Sequence, residues 1–246
     1  MIVRNSLLNF KDAYIYQDTD YFKMSMDSMI LANFVTINLR DKMILDIATG
    51  NAPIPMLLTY RTKAKIYGVE LQEPVYNLGR ISIHENKMND QITLINDDAK
   101  NLANTFESDT FDVITCNPPY FKTKNEEFEN DNEVKTLARH EKTLVLEDIF
   151  VVARKLLKNN GRLAMVHRTE RFIEIVDMAK KYNFEPKRVR FVYPNSKKIS
   201  DLVLIECALN GKSGLKMEQP LFVYDCKGEY TEEVSKMFGE WYNGTK

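Results

Sequence analysis

The sequence predicts an α/β fold: a mostly parallel sheet with helices on both faces and an antiparallel hairpin at one end. Three observations carry this. Apolar runs of strand length alternate with longer stretches from about residue 43 to about 209. Two of those stretches carry apolar residues at helical spacing. The last two runs follow each other without a helix, which fits antiparallel pairing.

The strands are expected at MILDIA (43–48), AKIYGVEL (64–71), ITLIN (92–96), FDVITC (111–116) and RLAMVH (162–167). The helices are expected over QEPVYNLGRISIHENKM (72–88) and HEKTLVLEDIFVVARKLLKNN (140–160). Pro74 suits a helix start and Gly161 a helix end. RVRFVY (188–193) and LVLIECAL (202–209), joined by PNSKKISD, form the hairpin. Residues 1–40 read as a separate N-terminal extension, helical around 25–35, and residues 41–246 as the main domain. Segment 122–135 is polar and acidic and is expected to be a loop. The tail EYTEEVSKMFGEWYNG reads as an amphipathic helix closing the domain.

Bulk properties narrow the class. The chain has 246 residues, a net charge of -1 and 44% hydrophobic residues. No stretch approaches the roughly 20 apolar residues that a membrane span needs, and no secretory signal is evident. Cys116, Cys207 and Cys226 lack a CxxC pair, and His84, His140 and His167 lack metal-ligand spacing. A cytoplasmic, metal-free protein is therefore expected, with a monomer taken as the default state. The charge balance means that any nucleic-acid partner would need a local basic patch.

Two constellations carry candidate chemistry. The first follows the first long strand: Asp46, Ile47, Ala48, Thr49, Gly50, Asn51, Ala52, then a helix. Ligands of open α/β sheets sit at the carboxyl ends of strands, and Gly50 lets backbone approach a ligand closely. Glu70 ends the next strand, where a carboxylate can accept from a ribose diol. Asp97 and Asp98 end the third, where one can accept from an adenine amine. The pattern lacks G-x-G-x-x-G and G-x-x-x-x-G-K-[ST], which weakens a dinucleotide site and excludes a P-loop. The second constellation is Asn117-Pro118-Pro119-Tyr120, directly after the fourth strand and beside the first turn.

At these residues the chain resembles the class I S-adenosylmethionine-dependent methyltransferases that act on amines. It is most similar to the bacterial tRNA (adenine-N6)-methyltransferase family acting on adenine 37 of a valine tRNA. The resemblance spans almost the whole chain. It includes Gln17, Tyr21, Phe22, Met24, Ser25, Met26, Asp27 and Ser28 in an entry segment, then ILDIATGNAPIP and Asn117–Tyr120. Ala138-Arg139-His140-Glu141, Val166-His167-Arg168 and the 202–206 strand continue it. It implies a seven-stranded Rossmann-like sheet. It also implies an S-adenosylmethionine site at Asp27, Asp46, Gly50, Asn51, Glu70, Asp97, Asp98 and Asn117, with a catalytic loop of Asn117, Pro118, Pro119 and Tyr120. Ala52 stands where the family's second turn glycine is usual.

The physics of amine transfer fits that loop. The exocyclic nitrogen of adenine is a poor nucleophile because its lone pair is delocalised. Acceptors on both N–H groups, here the Asn117 oxygen and the Pro118 carbonyl, favour a pyramidal nitrogen. Proline fixes its φ and so the carbonyl direction. Tyr120 offers a face for the base. For RNA, KRVRFVYPNSKK (187–198) supplies Lys187, Arg188, Arg190, Lys197 and Lys198, joined by Arg139, Arg168 and Arg171. These are candidate phosphate contacts for a tRNA anticodon stem-loop. Phe191 and Tyr193 fit either base stacking or strand packing. Glutamine-N5 methylation of protein, guanine-N2 methylation of rRNA and a non-catalytic RNA-binding module stand as alternatives.

Overall fold

A computed structural model describes residues 1–10, 12–19, 24–118 and 144–239. The five strands expected before the hairpin form at Met43–Ile47 (β3), Lys65–Glu70 (β4), Ile92–Asn96 (β5), Phe111–Cys116 (β6) and Leu157–Arg168 (β7). The hairpin is Phe184–Tyr193 (β8) and Leu202–Leu209 (β9). The order across the sheet is β8-β9-β7-β6-β3-β4-β5, with β9 antiparallel to both neighbours and the rest parallel. These are the seven strands expected. Two further strands of two residues each, Lys216–Met217 (β10) and Leu221–Phe222 (β11), run along β8 and bring the sheet to nine.

Adjacent residues of the central strands face opposite cores. Ile44, Val113, Ala164 and Leu204 lie in one cluster, while Leu45, Ile114, Met165 and Ile205 lie in the other. All eight are fully buried. Burial on both faces explains why these strands read as unbroken apolar runs. The second core is covered by helices Leu102–Thr105 (α4), Leu146–Leu156 (α5) and Phe172–Lys181 (α6). The first takes in Met26–Phe34 (α1) and Pro53–Thr59 (α2), and Ile83 of Glu73–Glu85 (α3).

The N-terminal forty residues differ from expectation. Besides α1, Ile2–Ser6 (β1) and Tyr14–Asp18 (β2) make a two-stranded antiparallel ribbon. The open edge of β2 is closed by α3 rather than by another strand. Asn86 accepts from the Tyr14 N–H at 2.9 Å and donates to its carbonyl at 2.6 Å, and Ser82 accepts from the Tyr16 N–H at 2.9 Å. Leu7, Ile15, Met29 and Leu31 share the first core with the sheet residues.

Gly161 is also not a helix cap. α5 ends at Leu156 and the chain passes straight into β7. Asn160 takes a left-handed φ of 62°. A β-carbon on Gly161 would sit 2.7 Å from the Lys158 carbonyl oxygen, so the glycine serves an irregularity at the start of β7, where its register with β6 shifts. The tail is helical only at Glu232–Met237 (α7) among the described residues. No helix among them is long and apolar enough to cross a membrane.

Candidate cofactor and catalytic site

Register alone assembles the site. Cys116 pairs with Ile47, Ile47 with Val69, and Glu70 with Asn96. Asn117, Ala48, Glu70 and Asn96 therefore stand side by side at the carboxyl edge of four parallel strands. Three strand spacings span about 14 Å.

The turn after β3 is held from below. Asp46 is fully buried, and its carboxylate accepts from Thr49 Oγ1 at 2.7 Å and Thr115 Oγ1 at 2.6 Å. It ties the turn to β6 from a position with no exposed surface to offer a ligand. The backbone then enters the left-handed region three times within five residues, at Ala48 (φ 54°), Gly50 (φ 61°) and Ala52 (φ 69°). Ala52 thus adopts the conformation for which a glycine is usual, a strain of about 1–3 kcal/mol of the kind found at ligand clamps. A β-carbon on Gly50 would meet nothing within 4 Å, so this turn faces open space. Glu70, 6% exposed, accepts from the Gly50 N–H at 3.0 Å and the Gln72 N–H at 2.9 Å. Burial raises its pKa above the ordinary 4.5. An open glycine turn beside a strand-end carboxylate fits a ribose-bearing cofactor.

The other expected cofactor residues divide. Asn51 is nearly buried and its Nδ2 donates to the Tyr16 carbonyl at 2.8 Å, so its side chain holds the N-terminal ribbon to the turn. Asp97 Oδ1 accepts from Asp98 N and Asn101 Nδ2, and Asp98 Oδ1 caps a short 3-10 turn through Lys100 N at 3.0 Å. Both aspartates are half-buried at the end of β5. Asn96 donates to the Glu70 carbonyl at 2.9 Å and joins the ends of β5 and β4. Asp27 lies in the first turn of α1. One turn residue on, Ser28 Oγ accepts from Asn117 Nδ2 at 3.1 Å. The contacts of Thr49, Thr115, Ser28 and Asn96 were not expected from sequence. Of these, Ser28 had a signal, its place in the entry segment. Pro118 is buried, while Pro119, Tyr120, Arg139 and the 122–135 segment lie outside the described residues.

Most of the expected basic patch is engaged with the protein itself. Arg188 bonds Glu218 at 2.8 Å and the Phe34 carbonyl at 3.0 Å, approaches buried Glu206 at 3.4 Å and stacks 4.4 Å from the Phe34 ring. Arg190 forms a two-pronged pair with Glu233 at 2.7 and 2.8 Å. Arg171 pairs with Glu174, and Lys187 donates to the Lys212 carbonyl at 3.0 Å. Lys197 and Lys198 are exposed on the 194–201 connection, without an ion pair among the described residues. Arg168, also exposed, ends β7 opposite Leu202. These three stand at the same sheet edge as Asn117. Phe191 packs edge-on against Phe172 and Tyr193 against Phe222, so both rings serve packing.

Burial pushes the Asp46 carboxyl up from 3.8 to about 7, against the lowering effect of its two threonine bonds. The native state then holds a proton that the unfolded chain has lost, so this group's contribution makes stability fall as pH rises through roughly 4 to 7. His167, pushed down from 6.5 to about 4 by burial and by Arg171, acts oppositely over roughly 4 to 6.5. The difference between protein and variant isolates Asp46. In denaturant titrations at pH 5 and pH 8, Asp46→Asn is expected to gain stability relative to the parent by a few kcal/mol more at pH 8. An equal difference at both pH values would show that Asp46 titrates normally.

Residues 39–218 match the family described as "Methyltransferase domain". A tRNA1(Val) (adenine(37)-N6)-methyltransferase from Flavobacterium psychrophilum is 26% identical over 96% of this chain and 99% of its own length. The enzyme of the same name from Tolumonas auensis is 28% identical over 95% of each chain. A predicted O-methyltransferase from Agrobacterium tumefaciens, a solved structure, superposes with a TM-score of 0.70 over 86% of this chain and 95% of that one at 18% identity, which bears on the fold alone. With a family match over most of its length, on a class I sheet whose strand ends line up a glycine turn, a carboxylate and an asparagine corner, the chain belongs to the methyltransferase-domain family.

Proposed function

We propose that the chain transfers a methyl group from S-adenosylmethionine to the N6 amine of an adenine in tRNA, adenine 37 of a valine tRNA. The observation that carries this is the alignment of Asn117 with the Gly50 turn and Glu70 along one sheet edge. The names of relatives matched over nearly the whole chain supply the substrate. Gly50, Glu70 and Asp97 or Asp98 would hold the adenosine, with Asp46 and Asn51 positioning the turn rather than touching it. The N-terminal 40 residues would pack over that site through the Tyr16–Asn51 and Ser28–Asn117 contacts. When bound, the cofactor supplies an electrophilic methyl group on a sulfonium.

The chain's own task is to place and reshape the amine. An Asn117 carboxamide whose nitrogen is given to Ser28 offers its oxygen as acceptor to one N–H. The Pro118 carbonyl takes the second. Pro119 stiffens the corner and Tyr120 stacks the base. Both acceptors stabilise the positive charge that grows on the nitrogen as it attacks. A splayed base of a single-stranded loop reaches such a corner more cheaply than a paired one. Lys197, Lys198 and Arg168 would take the phosphates, and the protein acts as a cytoplasmic monomer without a metal.

Radiolabelled S-adenosylmethionine offered separately with total tRNA, total rRNA and release factor tests this. Label is expected in tRNA alone, with N6-methyladenosine at position 37 by nucleoside mass mapping. Label confined to protein would refute the RNA substrate. The double variant Lys197→Glu with Lys198→Glu is expected to weaken tRNA binding at least tenfold and to flatten its salt dependence. Its S-adenosylhomocysteine affinity should not change. Unaltered tRNA affinity would remove this connection from the interface.

A further inference from the structure

The C-terminal end of α1 is gripped by charged side chains from four parts of the fold. Arg61, just past α2, donates to the Ala32 carbonyl and, at 3.0 Å, to the Val35 carbonyl. Arg188 of β8 donates to the Phe34 carbonyl at 3.0 Å, and Arg162 of β7 to the Thr36 carbonyl at 3.3 Å. Glu206 of β9 is 3% exposed. It accepts from the Thr36 N–H at 2.7 Å and from Thr36 Oγ1 at 2.8 Å. A helix C-terminus leaves carbonyls unpaired and carries partial negative charge, so one basic side chain there is ordinary. Three arginines around a buried carboxylate go well beyond that, and burying such charges has a desolvation cost. Adhesion alone does not require them, because Met29, Ile30 and Leu31 already bury α1 in the first core. Apolar contact is non-directional and lets a helix slide, whereas hydrogen bonds fix its axial position.

The other end of α1 meets the catalytic corner. Ser28, itself buried, accepts from Asn117 Nδ2 at 3.1 Å. Strand register gives the separation of the two ends. Glu206 pairs with Ala164, and Ala164 with Thr115. Glu206 therefore stands two strands away from β6, level with the residue two before Asn117. Two strand spacings and two residues of rise make a diagonal of about 12 Å. A nine-residue helix is about 13 Å long. By alternation Glu206 shares a sheet face with Leu204, and Asn117 with Val113, both in the core that holds α1. The helix is thus a strut across that face, with the charged clamp at one end and the Asn117 carboxamide at the other.

We propose that Glu206, acting through Thr36, is a positioning residue for methyl transfer. By pinning the C-terminal end of α1 it sets where Ser28 holds the Asn117 carboxamide, and so where the amide oxygen meets the amine. This rests on the amine-methylating role proposed above, and the test separates the two. The Asn117 side-chain amide gives an NMR signal, identified by its loss in Asn117→Ala, that needs no turnover. Glu206→Gln keeps the size of the side chain and removes one of its two acceptor oxygens. It is expected to displace the Asn117 signal in the direction that Ser28→Ala does, and to add nothing in a Ser28→Ala background. In single turnover at saturating S-adenosylmethionine and tRNA, Glu206→Gln should be about fivefold slower, the loss expected for one hydrogen bond. Its tRNA affinity should stay within twofold of the parent. The double variant with Ser28→Ala should transfer within twofold of Ser28→Ala alone, since the two residues act through one path. Thr36→Val should behave as Glu206→Gln does, and serves alone should Glu206→Gln not fold. An Asn117 signal at its parental position, a parental rate, or losses that multiply in the double variant would overturn the inference. An unaltered protein that transfers no methyl to tRNA would sink the functional assignment instead, with the amide signal still deciding whether the clamp reaches Asn117.

Discussion

Replacing Asn117 with alanine is expected to lower methyl transfer to tRNA by about 100- to 1000-fold or more, with S-adenosylhomocysteine affinity within a few fold of the parent. The side chain stands at the end of β6, beside the turn that carries Gly50, and its nitrogen is committed to Ser28 at 3.1 Å. Truncation removes one of two acceptors on the amine, leaving the nitrogen closer to planar and its lone pair in the ring. It leaves Gly50 and Glu70 in place, which is why cofactor binding should survive. The Asn117–Ser28 bond adds a milder companion. Ser28→Ala should lower the rate by about tenfold, since an amide without its tether samples more orientations, at a cost of about 1 kcal/mol for one hydrogen bond. Single-turnover assays with excess enzyme measure the step directly. Parental turnover in Asn117→Ala would refute the role given to the corner.

Glu70→Ala carries the second large effect, expected at about a 100-fold loss of S-adenosylhomocysteine affinity. Two hydrogen bonds from a ribose to a carboxylate are worth about 1.5 kcal/mol each at the low end, roughly 3 kcal/mol together. The same carboxylate receives the Gly50 and Gln72 N–H groups, so its removal also loosens the turn. Glu70→Gln keeps an acceptor without the charge and should fall between the two, near tenfold. Either change should weaken 5′-methylthioadenosine, which keeps the ribose but lacks the amino acid, as much as S-adenosylhomocysteine. Unchanged affinity in Glu70→Ala would move the ribose elsewhere.

What the sequence reveals depends on how local the controlling physics is. The central strands are buried on both sides, so each appears as a run of apolar residues with ends correct to within a residue or two, except that β7 and β8 begin four or five residues earlier than expected. The Asn117 corner and the turn are contiguous, and parallel register does the rest. The ribbon of β1 and β2 escapes because its short strands are mostly exposed or half-buried and its open edge is satisfied by Ser82 and Asn86, about 70 residues away. The basic stretch misleads for the same reason. Arg188 and Arg190 look like phosphate ligands until Glu206, Glu218 and Glu233 arrive from downstream. Counting charge in a window cannot see partners outside it. Asp46 shows the converse: it stands at the foot of the glycine turn, yet it is turned inward by Thr115, a residue of the neighbouring strand.

The place of β9 in the sheet has a consequence for biogenesis. It is the last of the long strands to be synthesised, yet it lies inside the sheet, between β7 and β8, rather than at its margin. Until residue 209 has left the ribosome, β7 presents an unsatisfied row of backbone groups over residues 162–168, the stretch that later pairs with β9. Nascent chains stopped just before Leu202 should therefore be captured by chaperones or aggregate, and those extended past Leu209 should be released from both fates.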